Sequence, residues 1–181
     1  MSLTFKTIAL NLALGLCVYA VNSQAHVGFD NDQAIQGSYK RFALKVPHGC
    51  GTLATDTITI HIPEGIQGAK PMPKSGWSTS ILKAKLNTPY GSHGTAVTED
   101  VSALTWSNGS LPSTFYDEFV FQAKVASQQV SVYFDVDQTC GNTVTHWNGR
   151  SHDDAHPAAS LHVIEPTSPT AATPAAEVHH H

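Results

Sequence analysis

Apolar and polar residues alternate with a period of two through the middle of the chain. That alternation restricts it to strands with one buried face. Val130-Ser131-Val132-Tyr133-Phe134-Asp135-Val136 is the clearest case, with Val130, Val132, Phe134 and Val136 expected to point inward. Thr57-Ile58-Thr59-Ile60-His61-Ile62 sends its three isoleucines to one side, and Phe119, Phe121, Ala123 and Val125 do the same further on. Further strands are expected at 39–46, 78–86, 96–106, 143–147 and 161–164. Many short strands separated by Gly, Pro and Asn turns predict an antiparallel all-β sandwich, and no segment after the leader carries a helical period.

The first 25 residues stand apart from this pattern. Lys6 supplies a positive start, 8–21 is an apolar run, and Ser23-Gln24-Ala25 puts small residues at −3 and −1 of a cleavage site. These are the parts of a secretory signal peptide. A membrane anchor fits less well, because Asn11 interrupts a run too short to span and no stop-transfer charges follow. Lipidation at Cys17 would need a small residue before it, where Leu16 stands. Residues 26–165 are then one sandwich domain. Residues 166–181 form a Pro/Thr/Ala-rich tail too poor in apolar residues to fold, ending in His179-His180-His181, either native or an added sequence.

Cleavage after Ala25 would free the α-amine of His26, so that one residue offers an amine and an imidazole nitrogen to a metal. Nitrogen chelation completed by oxygen suits tetragonal Cu(II). Both nitrogens must shed protons to bind, so affinity should fall on acidification.

Removing Lys6 with the leader leaves nine Lys and Arg against fourteen Asp and Glu. This mildly acidic balance argues against nucleic acid and against anionic membrane as partners. Cys17 leaves as well, so Cys50 and Cys140 are the only cysteines after cleavage. In an exported chain they most simply form one disulfide, worth about 4–5 kcal/mol for so long a loop in the chain-entropy model. Reduced thiols or a thiolate metal site are disfavoured by an oxidising compartment.

The other polar residues are weaker signals. Glu118 should leave the core face as an ordinary solvated carboxylate, and Trp147 reads as a core or edge aromatic. His152 and His156 flank Asp153-Asp154-Ala155, which reads as a polar loop with at most weak affinity for zinc or copper. His48 falls in a turn beside Cys50, His61 on an outward strand position and His93 in a loop. Lys70-Pro71-Met72-Pro73-Lys74-Ser75-Gly76-Trp77 is expected to be an ordered loop, since two prolines restrict it and a large aromatic ends it.

Taken in order, His26-Val27, Val46-Pro47-His48-Gly49-Cys50, the Lys70–Trp77 loop, Asp117-Glu118-Phe119-Val120-Phe121, Asp137-Gln138-Thr139-Cys140-Gly141 and Trp147 resemble the YcnI-like copper-binding family of exported bacterial proteins. The likeness runs from about His26 to Ile164. It implies a cupredoxin-like or immunoglobulin-like sandwich carrying a Cu(II) mono-histidine brace. In that brace the amine and ring of His26 bind the ion, Glu118 adds oxygen, and Trp147 stands beside the metal. The expected role is copper storage, delivery or homeostasis in the periplasm or outside the cell, not catalysis. The expected partners are the copper ion and another copper protein of the envelope, with no membrane insertion after cleavage.

The sequence departs from the family after His26-Val27, where Gly28-Phe29-Asp30-Asn31-Asp32 offers Asp30 or Asp32 as alternative oxygen donors. His146, next to Trp147, and the terminal histidines are further candidate ligands. The C-terminal copper-binding domain that often follows in the family is not expected within residues 26–181. Two other functions compete. A copper-dependent polysaccharide monooxygenase would need a second histidine, from His93 or His146. An exported interaction module would bind no metal.

Overall fold

The computed structural model describes residues 26–167, so the expected signal peptide and all but the start of the expected tail lie outside the described residues. Twelve strands occupy the described part. They are β1 (Gly28–Phe29), β2 (Gln33–Ile35), β3 (Tyr39–Val46), β4 (Thr57–His61), β5 (Ile66–Pro71), β6 (Ser78–Ser92), β7 (Thr95–Ser107), β8 (Asp117–Val125), β9 (Ser131–Phe134), β10 (Val136–Cys140), β11 (Thr143–Trp147) and β12 (Ala159–Ile164). No helix among the described residues is long and apolar enough to cross a membrane.

The strands form three sheets, ordered β1-β3-β8-β5, β11-β10-β4-β7-β6 and β2-β12-β9. All pairings are antiparallel except β2 with β12, which run parallel. The inward faces are those the alternation specifies. Ile58 and Ile60 of β4, Leu104 and Trp106 of β7, and Phe119 and Phe121 of β8 are fully buried. Phe42 stacks on Phe121 at 4.6 Å with the planes 3° apart, and Phe29 meets Phe134 edge to face at 4.9 Å. Pairs of this kind add about 0.5–1.5 kcal/mol each beyond the area they bury.

One expected inward residue is corrected. Val130 is 61% exposed, because β9 begins only at Ser131. Asp135 then separates β9 from β10, so the expected single run 130–136 is divided between two sheets. Val132, Phe134 and Val136 do point inward.

The Cys50–Cys140 disulfide is present, with Cα atoms 6.0 Å apart across 90 residues. It ties the segment before β4 to the end of β10. Beside it Gln138, only 1% exposed, donates from Nε2 to the His48 carbonyl and to Thr55 Oγ1, both at 2.8 Å. The prolines of the 70–77 segment also act structurally. Lys70 and Pro71 end the edge strand β5, where a missing N–H is tolerated. Beyond them Trp77 packs on Phe119 at 4.9 Å, and Trp106 Nε1 donates to the Met72 carbonyl at 3.1 Å.

Candidate functional site

His26 lines a cleft of about 320 Å³ between the start of β1, the start of β12 and the 148–158 loop. Its walls include Asp32, Tyr133, Arg150, His152 and Ala159. The residues after His26 anchor it there. Val27 and Phe29 are buried, and Gly28 and Phe29 pair with Lys45 and Leu44 of β3.

Trp147 stands behind His26, outside the lining of the cleft. It ends β11 on the inward side, is 4% exposed, and donates from Nε1 to Gln138 Oε1 at 3.0 Å. Gln138 is itself fixed by His48 and Thr55, so the indole is held by a buried network that leads back to the disulfide region. The His26 and Trp147 rings meet edge to face with 6.3 Å between centroids. His156 meets the same indole at 5.0 Å and 90°.

The 148–158 loop brings a third imidazole. The His152 ring lies 5.6 Å from that of His26, with 70° between the planes. Arg150 grips Asp135 through both guanidinium nitrogens, donates to the Asn148 carbonyl at 3.1 Å and lies over the Tyr133 ring at 5.3 Å. The hydrogen bonds it donates to Asp135 raise the Arg150 pKa above its ordinary value. The turn carrying His152 is closed by Asp154 N–H to the Ser151 carbonyl at 3.1 Å and by Ser151 N–H to Asp154 Oδ2 at 2.9 Å. Gly149 lets that turn fold back, because a Cβ there would lie 2.5 Å from Asp154 Oδ2.

The expected oxygen donor stands elsewhere. Glu118 of β8 pairs with Lys45 of β3, and Lys45 pairs in turn with Gly28 of β1. Two strand spacings, roughly 9–10 Å, therefore separate the Glu118 and Gly28 backbones. Glu118 is not among the residues that line the cleft, and its carboxylate faces Arg41 Nη2 at 3.8 Å. Its backbone carbonyl and Asp117 Oδ1 accept from Lys74 Nζ at 3.1 and 2.7 Å, so the Asp-Glu-Phe motif anchors the Lys-Pro-Met-Pro-Lys loop. The carboxylate at the cleft is Asp32, whose backbone carbonyl accepts from His162 N–H at 2.6 Å. Burial lowers the neighbouring Lys40 pKa, and the charge of Asp32 opposes that shift. Asp30 turns to Lys45 Nζ at 3.2 Å.

The remaining histidines lie apart from the cleft. His146 faces away from Trp147 along β11, and its Nδ1 pairs with Asp137 Oδ1 at 2.6 Å. His61 takes the other oxygen of Asp137 at 2.9 Å. Burial raises the Asp137 pKa, but the hydrogen bonds and charge of the two histidines outweigh it and hold the carboxyl below its ordinary value. His93 sits in the β6–β7 turn with φ 49°. Among the described residues, no three His, Cys, Asp or Glu side chains gather as a metal site.

The fold defines an all-β protein of immunoglobulin-like architecture. The chain belongs to the family described as Domain of unknown function (DUF1775), whose model matches residues 26–163. The YcnI-like proteins that the motifs resemble fall within that family. Among solved structures the chain is similar to an uncharacterized protein from Nocardia farcinica whose crystal structure reveals an immunoglobulin-like fold. That match has a TM-score of 0.59 and 24% identity over 76% of this chain and 97% of the other, a likeness of fold. No curated protein matches the chain.

Proposed function

We propose that the processed chain, beginning at His26, is an exported Cu(II)-binding protein of the cell envelope that stores, delivers or buffers copper. The observation that carries this reading is the position of His26. It opens the family domain, sits at a cleft, and has its ring beside the fixed indole of Trp147. A free amine there would complete a chelate that the same nitrogen, tied in a peptide bond to Ala25, does not offer. The donor set fits copper: amine and imidazole nitrogens suit Cu(II), and a carboxylate offsets part of the ion's charge.

Asp32 is the carboxylate we propose for the ion, a reading supported by its place in the same cleft as His26. Glu118, which the family resemblance nominates, lies two strands from Gly28 and faces Arg41. The disulfide agrees with export, since such bonds persist in oxidising compartments.

The test is mass spectrometry of the exported chain followed by titration with Cu(II) against a weak chelator. The expected result is a first residue of His26 and one tightly held ion. A first residue other than His26 ends this reading. A chain that starts at His26 and binds no copper supports the metal-free interaction module.

A further inference from the structure

We propose that His152 is a second imidazole ligand to the copper held by His26, giving the site three nitrogens; this inference rests on the copper reading above. Two imidazoles bound to one ion at about 2 Å have ring centroids no more than roughly 6 Å apart. The His26 and His152 centroids are 5.6 Å apart, within that limit, and both residues line the cleft. Two side chains then supply three nitrogens, because His26 contributes two.

The loop is built to hold His152 in that place. Its backbone is fixed on both sides, by Gly149 N–H to the His156 carbonyl at 2.9 Å and by Ala158 N–H to the Gly149 carbonyl at 2.8 Å. Arg150 pins the base of the loop to Asp135, and Asp154 closes the turn. These bonds use backbone atoms, the guanidinium and the Asp154 carboxylate, and they leave the His152 ring unengaged and exposed. A ligand carried on a turn already ordered costs little conformational entropy when it closes on an ion. His156, seven residues before β12's Val163 and only four from His152, turns instead onto the indole.

The experiment uses the exported chain with His179, His180 and His181 replaced by alanine, loaded with one equivalent of Cu(II). Pulsed EPR counts coordinated imidazoles through their remote nitrogens, and a chelator competition gives affinity. The expected result is two imidazoles, falling to one in His152→Ala with affinity at least about tenfold weaker, and remaining two in His156→Ala. One imidazole in the unaltered site, or two in His152→Ala, overturns the assignment of His152 while leaving the His26 chelate standing. Absence of bound copper in the unaltered chain overturns both.

Discussion

The His26 imidazole meets the Trp147 indole edge to face, with 6.3 Å between ring centroids and 60° between planes. An ion on His26 would therefore lie beside one tryptophan of the three, since Trp77 and Trp106 both pack on Phe119. Cu(II) quenches a nearby excited indole strongly. Titration with Cu(II) should quench part of the fluorescence, and Trp147→Phe should abolish that part. The same substitution removes the N–H that Gln138 Oε1 accepts, which should cost about 1–3 kcal/mol in thermal unfolding. Equal quenching in the variant would place the ion elsewhere.

Gly149 tests the role of the loop. A methyl group there would collide with the Asp154 carboxylate and Cβ, at 2.5 and 2.6 Å. Gly149→Ala should push Asp154 out of its bond to Ser151 and loosen His152. Copper affinity should fall several-fold, while the melting temperature drops by only a few degrees. A variant that keeps full affinity would show that the turn does not set the site.

The two carboxylates are separated by a pair of variants. Asp32→Asn should weaken Cu(II) binding and shift its visible spectrum, because an amide oxygen is the poorer donor. Glu118→Gln should leave the spectrum unchanged and cost within about 1 kcal/mol of stability, the range of an exposed ion pair with Arg41. The opposite pattern would restore Glu118 to the ion.

Asp137 carries a pH dependence of its own. Its carboxyl, held below the ordinary range by His61 and His146, contributes stability that is present above the unfolded carboxylate pKa of about 4. That contribution is lost as pH falls through the lower folded value. In thermal unfolding the unaltered chain should therefore lead Asp137→Asn at pH 6, and the lead should shrink towards pH 3. A lead that is constant with pH would remove the coupling.

Much of the fold was legible because alternation is a local signal. The expected strands 39–46 and 143–147 coincide with β3 and β11, and burial alternates at every second position along β9 and β12. The signal failed where geometry is not local. β1 and β2 are two and three residues long, too short to show any period. In β5 a register shift between Gln67 and Lys70, with Gly68 at φ 60°, breaks the alternation. Val130 belongs to the right pattern but precedes the strand.

The site divides in the same way. His26 was legible as a position after a cleavage motif, and Trp147 through the order of family landmarks around the two cysteines. His152 was not, because the sequence around it is merely polar. Its placement depends on Arg150 reaching Asp135 fifteen residues earlier and on Gly149 bridging to Pro157. Glu118 carries the family motif, yet strand register sets it two strands from Gly28.

The central claim is that the α-amine of His26 is a copper ligand. Its most direct test compares the Cu(II) affinity of the exported chain with that of a chain carrying one extra alanine before His26, both with the terminal histidines replaced by alanine. The extension leaves every side chain in place and turns the amine into an amide. The account predicts that tight binding is lost in the extended chain, and equal affinity in the two would contradict it.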